Sequence, residues 1–382
     1  MFESTFAIIR REPAFRGAII APILVALVFA FFNLTSTVEP GDAAAAMILG
    51  IVNEDEEFSA PFGKVIISER ILTGMQTSLP FGSATLESED DARAALDQGT
   101  VSMVLMIPAN FSTSAMAGEP VEVRFLRTDH LSLAEAQFGQ SVPPMIQANF
   151  SLAVTMVRQA LAQGRPPVLN APPPVAVADE VLHAAQGARG LFAPFVLLFP
   201  TWLAAMVGTL MLFIASRGSL RRDNHFSQSM VRLAVPVVSM GLSTLAGVLV
   251  VGLAADVWGG FIAPWLFLWL AGTAAAWVLM GLFSVLGFFA LIVAVPLVFY
   301  QAPAAGAMSP VAAAPEWFAW INDVLPLSET LAGLRSLLIG GPAGDLPIGA
   351  LAVVLVGGAL LVVVGTAAHA MVKPASISGA RR

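Results

Sequence analysis

Long apolar segments without a charged residue constrain the fold of this chain more than any other feature of its sequence. Five of them hold most of the hydrophobic residues: 17–34, 191–215, 233–255, 261–300 and 348–372. Each is close to or above the roughly 20 residues that an α-helix needs to cross a bilayer. Charged residues make up only 12% of the chain, against about 25% in soluble domains. This composition excludes a disordered chain and disfavours an ordinary cytosolic enzyme.

The fourth segment is too long for a single crossing. As one helix, residues 261–300 would extend about 60 Å, which is twice the thickness of a hydrocarbon core of about 30 Å. We therefore expect two helices joined by a tight turn near Met280–Ser284. With the other segments, the sequence predicts six transmembrane helices, at 17–35, 191–215, 233–255, 261–280, 284–300 and 348–372.

The first segment has two interpretations. It is short, it follows Arg10, Arg11 and Arg16, and Ala43–Ala45 downstream resembles a signal-peptide cleavage site. However, the apolar run ends several residues before these alanines, and a strand-like segment begins directly after them. An uncleaved signal anchor is therefore favoured, with a removed signal peptide as the alternative.

The distribution of charge predicts the orientation. Residues 1–16, 216–232 and 373–382 together carry ten basic residues against three acidic ones. Residues 36–189 carry eighteen acidic against eight basic residues, and residues 301–347 carry four against one. Basic loops stay in the cytoplasm, so both termini are expected inside and both acidic segments outside. Six crossings give the same parity, and the alanine-, arginine- and proline-rich composition indicates a bacterial plasma (inner) membrane.

Residues 36–189 have the composition of a soluble α/β domain. Met47–Val52 and Val101–Ile107 are typical of buried strands, and Val121–Leu126 of a half-exposed strand. Ser88–Asp91 resembles a capping box that opens a helix. Three further helices are expected: a short one from Asn110, one over 131–163 that is kinked or broken at Pro143–Pro144, and, after a proline-rich linker, one over 175–189.

The predicted fold class is an α-helical membrane protein with six transmembrane helices and an extracytoplasmic α/β domain inserted between helices 1 and 2. Aromatic residues alternate with charged ones at the N-terminus, which suits a cytoplasmic helix lying in the membrane interface. The predicted organisation is this interfacial helix at 1–16, transmembrane helix 1 at 17–35, the α/β domain with its linker at 36–189, transmembrane helices 2–6 at 190–372 and a cytoplasmic tail at 373–382.

Few residues are candidates for metal or cofactor chemistry. The acidic run Glu54–Glu57 lacks the spacing of a calcium loop, so a solvated turn is favoured over a cation site. His130 and His183 are isolated in the sequence, and cysteine is absent, so we expect no metal site. No constellation of nucleophile and base indicates an enzyme, and nothing points to nucleic acid.

The predicted helix cores also lack the groups that an ion-driven transporter needs. None contains Asp, Glu, Lys or Arg, which disfavours ion coupling and intramembrane proteolysis. The hydroxyls of Thr209, Ser239 and Thr244, with Thr273 and Ser284, are expected to bond their own helix backbones or to line helix contacts. The chain has no phosphate-binding loop of its own. Residues 1–16 and 216–232 are candidates for docking an ATPase or for anchoring to anionic lipid.

Three short motifs resemble those of the ABC-2 type transporter permeases. Leu49–Asp55 ends in V-N-x-D, Leu96–Ser112 runs into I-P-x-x-F-S, and Pro315–Arg335 contains P-x-x-[FW] and L-P-[LM] turns followed by an arginine. The chain most resembles the branch with a large extracytoplasmic insertion, the phage-infection-protein (Pip/YhgE-like) group. The matching positions are Asn53, Asp55, Pro108, Phe111, Ser112, Pro326 and Arg335.

The resemblance implies a permease subunit that forms a homodimer or pairs with a second permease. A separate cytoplasmic subunit would bind ATP and Mg, and this chain would hold no cofactor. The contacts with that subunit would be made by Phe6, Arg10, Arg11, Arg217, Arg221 and Arg222.

Two functions follow from these observations. The first is export of a hydrophobic or amphipathic substrate, since Phe, Leu, Val and small residues suit apolar cargo. The alternative is a non-transporting surface receptor or envelope assembly factor that acts through the extracytoplasmic domain. For Arg335, an interfacial anchor paired with Glu329 or Asp345 is favoured over a substrate contact.

Overall fold

The computed structural model describes two parts of the chain, a sheet domain and a bundle of apolar helices. The predicted interfacial helix (1–16) and tail (373–382) lie outside the described residues, and so does the predicted first transmembrane helix apart from Ile23 and Leu27. The described residues are 23, 27, 40–60, 63–76, 79–161, 173–219, 225–255, 260–304, 306, 308, 310–313, 315, 327–341 and 346–371.

A five-stranded mixed sheet forms the centre of the first part. In spatial order its strands are β4 (Gly82–Thr85), β1 (Ile48–Asn53), β5 (Met103–Ile107), β6 (Val121–Thr128) and β7 (Val175–Leu182). Strand β1 pairs in parallel with β4 and β5, β5 pairs antiparallel with β6, and β6 pairs in parallel with β7. A separate hairpin joins β2 (Phe58–Ala60) to β3 (Gly63–Val65). The three predicted strands are confirmed.

Helices cover both faces of the sheet. An apolar layer that includes Met103, Phe111 and Phe150 lies on the side of α2 (Ile67–Gln76), α4 (Phe111–Ala117) and α5 (Leu133–Leu161). A second layer around Leu96 and Val104 lies on the side of α3 (Glu89–Asp97). The predicted capping box is confirmed, because Asp91 N donates to Ser88 Oγ at 3.2 Å. The helices are α1 (Pro40–Ala45), α2 (Ile67–Gln76), α3 (Glu89–Asp97), α4 (Phe111–Ala117) and α5 (Leu133–Leu161).

One local prediction for this domain is wrong. Residues 175–182 form strand β7 instead of a helix, because they pair residue for residue with β6 from Val121–Val175 to Thr128–Leu182. Helix α5, expected to be kinked or broken at Pro143–Pro144, continues through both prolines. The missing proline hydrogen bonds weaken a helix, but buried side chains at helical spacing, among them Ile146 and Phe150, hold α5 against the sheet.

The second part of the chain is made of long apolar helices. Four described stretches are long and apolar enough to cross a membrane: Gly187–Ser216, Phe226–Ala255, Ile262–Tyr300 and Ile348–Ala368. Large apolar side chains on their outer faces are exposed, as a lipid-facing surface requires. These features are those of a membrane protein. The helices are α6 (Gly187–Ser219), α7 (His225–Ala255), α8 (Ile262–Leu286), α9 (Leu291–Ala304), α10 (Leu327–Ile339) and α11 (Ile348–Met371).

The long fourth segment divides at a different place from the one predicted. Helix α8 continues through Met280–Ser284, so the turn expected there is wrong. The chain instead leaves the helix at Gly287, whose φ of +61° lies in the left-handed region that favours glycine. A short 3-10 helix (Gly287–Ala290) then leads into α9. The total of six crossings stays a prediction.

Helices α7 and α8 are joined by side-chain hydrogen bonds to the backbone. Indole N–H groups are amphipathic donors that need a partner when water is excluded. Three indoles of α8 supply such bonds at successive levels of α7: Trp265 to the carbonyl of Gly241 (2.9 Å), Trp269 to that of Val237 (2.7 Å) and Trp277 to that of Leu233 (3.0 Å).

Glycines allow α8 and α11 to pack backbone against backbone. A Cβ atom built on Gly358 would lie 2.8 Å from Val278 N, and one built on Gly365 would lie 2.9 Å from the carbonyl carbon of Ser284. A Cβ atom built on Gly281 would lie 2.5 Å from Leu361 Cβ. Such close approach of small residues is a common means of helix association in membranes.

Adjacent glycines of α11 provide a test of this packing. Gly358→Ala should lower the stability of the bundle by about 1–3 kcal/mol through overpacking. Gly357 has open space around its Cα, so Gly357→Ala should be neutral or stabilising by up to about 1 kcal/mol through helix propensity. The measurement is the unfolding midpoint of each purified full-length variant in detergent. Equal midpoints for the two variants would contradict the packing described above.

Candidate functional site

An arginine is buried where four helices of the bundle meet. Arg232, in the third turn of α7, is only 2% exposed. Its guanidinium donates to Ser216 Oγ of α6 from Nε (3.2 Å) and Nη2 (3.0 Å). Its Nη1 donates to Ser284 Oγ of α8 (3.1 Å) and to Thr366 Oγ1 of α11 (3.0 Å). We call this cluster of Arg232 and three hydroxyls the arginine site.

The hydroxyls accept these bonds because their own hydrogens are used elsewhere. Ser284 donates to the carbonyl of Met280 (2.7 Å) and Thr366 to that of Val362 (2.6 Å), each within its own helix. Ser216 likewise donates to the carbonyl of Phe213, at 3.1 Å. Each hydroxyl oxygen therefore faces the guanidinium as an acceptor.

Within the described part of the chain, only neutral groups contact the guanidinium of the arginine site. The face of the Phe213 ring lies 6.0 Å from Arg232 Cζ, within the range of a cation–π interaction. Within the described part of the chain, no carboxylate pairs with Arg232. A buried charge held by dipoles alone is costly and is usually tied to function.

Sequence reasoning missed the arginine site. It assigned Arg232 to a polar loop at 216–232, and it excluded Arg from the helix cores. The first statement is wrong, because α6 extends to Ser219 and α7 begins at His225, which puts Arg232 inside a helix. The second statement holds for the apolar run 233–255 itself, which starts one residue after Arg232. The arginine directly precedes the apolar run 233–255, so the apolar pattern alone does not reveal whether it is buried. Its partners on three other helices come together only through packing.

The mild polar residues of the helices behave mostly as predicted. Thr209 donates to the carbonyl of Ala205 at 2.7 Å, and Thr244 donates to that of Met240 at 2.7 Å. Ser239 donates to the carbonyl of Pro236 at 3.3 Å. Ser284 also bonds its own helix, but it serves the arginine site as well.

Two of the family motifs meet in the α/β domain. Asp55 Oδ1 accepts from Ser112 N (2.7 Å), and Asp55 Oδ2 accepts from Ser112 Oγ (2.6 Å) and Ser68 N (3.4 Å). Ser112 Oγ in turn accepts from Ile67 N at 2.8 Å. Asp55 therefore caps the first turns of α2 and α4 together, which stabilises both helix N-termini. The expected solvated turn is wrong for this half-buried residue.

The remaining positions of these motifs support the same corner of the domain. Asn53 Oδ1 accepts from Asp55 N at 3.3 Å, and the carbonyl of Pro108 accepts from Phe111 N at 3.0 Å. Phe111 is fully buried and packs edge-to-face against Phe150, with ring centroids 5.7 Å apart. These residues hold the domain together.

The residues expected to dock an ATPase lie mostly outside the described residues. Arg217 is in the last turn of α6, just before Ser219. Residues 220–224, which include Arg221 and Arg222, are not among the described residues. Phe6, Arg10 and Arg11 also lie outside them, and so does the motif residue Pro326.

Arg335 lies at the junction between the α/β domain and the bundle. Its Nη2 donates to the carbonyl of Gly306 at 3.2 Å, and nearby Ala134 N donates to the carbonyl of Met308 at 3.0 Å. Burial lowers the pKa of Arg335 to about 10, while the charge of Glu135 opposes that shift. The side chain therefore keeps its charge at neutral pH. The predicted pairing with Glu329 or Asp345 stays a prediction.

Two histidines that are distant in sequence form a pair at this junction. The rings of His130 and His183 pack edge-to-face with centroids 5.7 Å apart, so the expectation that they are isolated does not hold in space. His183 Nε2 lies 3.0 Å from Asp97 Oδ1. The turn after α10 approaches both rings, since a Cβ atom on Gly340 would lie 3.4 Å from His183 and one on Gly341 would lie 3.5 Å from His130. Within the described residues, no three ligand side chains are grouped as a metal ion requires.

Comparisons with known proteins give little further information. No protein-family model matches the chain, and no curated protein does. A solved domain assigned to an ABC type-2 transporter from Thermotoga maritima aligns with 36% of this chain and 86% of its own length, at 17% identity and a TM-score of 0.26. A likeness this weak supports no inference about this chain.

A double-mutant cycle tests the arginine site. Ser284→Ala leaves a guanidinium N–H without its acceptor, so in the wild-type background it should cost about 1–3 kcal/mol of stability. In an Arg232→Met background the same change should cost much less, because Ser284 then bonds only its own helix. The measurement is detergent unfolding of the four full-length variants.

The matched control for this cycle is Thr244→Ala. The Thr244 hydroxyl bonds carbonyls of its own helix and makes no contact with Arg232. Its cost should therefore be the same in both backgrounds. An equal cost of Ser284→Ala in both backgrounds would show that the arginine and the serine are not coupled.

Acidification should weaken the junction through His130. Burial, and then the nearby His183, lower the pKa of His130 from its usual 6.5. The unfolded chain therefore takes up a proton at higher pH than the folded chain, and the folded state loses stability as the pH falls below about 6.5. Between about pH 7.5 and pH 5.5, the Tm of the wild type should fall further than that of His130→Gln. Parallel curves would contradict this prediction.

Proposed function

We propose that this chain is the membrane-spanning permease subunit of an ABC-2 type transporter that exports a hydrophobic or amphipathic substrate. A separate ATP-binding subunit, which would hold ATP and Mg, would supply the energy. The proposal includes two permeases per complex, either two copies of this chain or this chain with a related one. It also includes a plasma-membrane location with both termini in the cytoplasm and the α/β domain outside.

The arginine site is the observation that carries this proposal. It connects the two helices that flank residues 220–224 with α8 and α11 through direct hydrogen bonds to one guanidinium. A displacement of the neighbouring ends of α6 and α7 would therefore change the positions of all four helices. That is the mechanical requirement for a subunit that receives work from an external ATPase.

The lengths of α6 and α7 suit a docking role for residues 220–224, which lie between them in the sequence. They contain 33 and 31 residues, which correspond to roughly 50 and 46 Å, against a hydrocarbon core of about 30 Å. Their paired ends are therefore long enough to project beyond the core. The sequence between the described ends of these helices is basic, since it includes Arg221 and Arg222, with Arg217 just before it.

The chemistry of the bundle favours an apolar substrate. Its buried cluster is made of aliphatic and aromatic side chains, including Trp202, Phe213 and Phe283. Apart from Gln228 and Arg232, the buried polar side chains within the described spans are hydroxyls. Such surfaces suit lipid-like or other hydrophobic cargo better than charged solutes.

A second candidate function is a surface receptor or envelope assembly factor. It is favoured by the construction of the α/β domain, which has its own sheet with helices on both faces and separate apolar layers. In this case the helices would only anchor the domain. A stable complex with an envelope protein, with no associated ATPase, would favour this candidate.

Charge reversal at residues 221 and 222 tests the transport proposal. In the double variant Arg221→Glu and Arg222→Glu, stimulation of the co-purified ATPase should fall at least about tenfold, because a docking contact of two cations would become repulsive. Membrane insertion, measured by fractionation, should be unchanged.

Arg70→Glu is the matched control for this experiment, because Arg70 is an exposed basic residue of the α/β domain. It should leave the stimulation intact. Unchanged ATPase stimulation in the double variant would refute the docking role of residues 220–224. Failure of any ATPase to co-purify with the wild-type chain would refute the permease assignment.

A further inference from the structure

A buried glutamine without hydrogen-bond partners lies next to the arginine site. Gln228 is 4% exposed. Neither its Nε2 nor its Oε1 has a partner among the described residues. Burying such an amide without hydrogen bonds destabilises the folded chain. These unsatisfied atoms therefore mark a position where a ligand would be bound with a net gain.

Gln228 and Arg232 lie on the same face of α7. They are four residues apart, which makes them neighbours about 6 Å apart along a helix axis. Four of the five guanidinium N–H groups of Arg232 are accounted for by bonds to hydroxyls. The fifth, on Nη2, has no acceptor within the described part of the chain. One donor of Arg232 is thus unused on the helix face that also carries Gln228.

The start of α7 adds further donors of the same kind. Helix α7 begins at His225, so Gln228 lies in its first turn, where backbone N–H groups have no intrahelical acceptor. This end of a helix also carries the positive end of its dipole. A guanidinium, an amide N–H and a helix N-terminus together favour an oxyanion with several oxygens, of which phosphate is the usual biological example.

The position of the cluster along α7 indicates where that phosphate comes from. The apolar run begins at Leu233, directly after Arg232, and its 23 residues to Ala255 correspond to about 34 Å, close to the thickness of a hydrocarbon core. Gln228 and Arg232 therefore lie at the depth of the lipid headgroups. Free phosphate has no such preference for depth.

The surroundings of the cluster also suit a lipid. Phe226 and Met230, in the first two turns of α7, are 69% and 41% exposed, and Val231 is 49% exposed. These apolar side chains can contact acyl chains beside a bound headgroup. Among the described residues, no carboxylate pairs with Arg232. No such group would therefore repel a bound anion there.

We propose that the first three turns of α7 bind the phosphate group of an anionic phospholipid through Arg232 and Gln228. The Gln228 Oε1 acceptor would take a hydrogen bond from a hydroxyl next to that phosphate, as phosphatidylglycerol offers. This lipid would be part of the structure that joins α7 to its neighbours. The inference does not depend on an ATPase partner and goes beyond the proposed function.

Lipid-dependent thermal stability tests this proposal. Delipidated full-length protein in detergent is mixed with phosphatidylglycerol, with phosphatidylcholine of the same acyl chains, or with inorganic phosphate. We expect phosphatidylglycerol to raise the Tm by about 3 °C more than phosphatidylcholine does. Native mass spectrometry should show the same lipid retained on the protein.

Gln228→Leu is the decisive variant. Leucine has a similar volume and removes the unsatisfied amide, so without lipid the variant should be as stable as the wild type or more so. The additional effect of phosphatidylglycerol should be lost. Arg189→Gln is the matched control, because Arg189 is an exposed arginine at the opposite end of the bundle, where it bonds the carbonyl of Ala254. This control should keep the full effect.

The possible results separate the sources of phosphate. If inorganic phosphate alone reproduces the rise in Tm and Gln228→Leu abolishes it, the phosphate site is supported with a soluble ligand and the lipid is refuted. Equal effects of the two lipids on the wild type would overturn the proposal. An undiminished phosphatidylglycerol effect in Gln228→Leu would overturn it as well.

Discussion

The helical part of this protein depends on how one buried positive charge is accommodated. Arg232 donates to Ser216, Ser284 and Thr366, so one side chain fixes the relative positions of α6, α7, α8 and α11. Away from water these bonds are strong, and an unsatisfied donor would be costly. The close contact of α8 with α11 at Gly358 and Gly365 belongs to the same arrangement, because Ser284 and Thr366 reach one guanidinium only if the two helices are close.

The two ends of the bundle have different tasks. The arginine site lies at one end, about 40 Å along α6 from the point where that helix leaves the α/β domain. At the other end, Gly340 and Gly341 pack against the imidazole rings of His183 and His130. Long helices without an internal loop connect the two ends. The proposed transport function needs such a connection between residues 220–224 and the α/β domain, and the proposed lipid at the start of α7 would stiffen it.

Local rules predicted much of the α/β domain, but they failed where partners are distant. The capping box at Ser88 and the strands of alternating or continuous apolar residues depend on neighbours in sequence, and they are confirmed. Strand β7 was predicted as a helix because its partner, β6, comes more than fifty residues earlier in the chain. Asp55 was predicted to be solvated for the same reason, since Ser112 reaches it only after both strands have paired in parallel.

The sequence by itself determined that this chain enters a membrane, because apolar segments of this length have no other stable environment. It also determined that an α/β domain precedes the apolar helices from α6 onward, since alternation and helix caps are local signals. Only the tertiary structure decided which polar groups meet. Whether Arg232 is a loop cation or a buried one depends on hydroxyls from three other helices. Whether the Gln228 amide has hydrogen-bond partners depends on the packing around it. Contacts of that kind are set by packing between distant segments, which no periodicity in the sequence records.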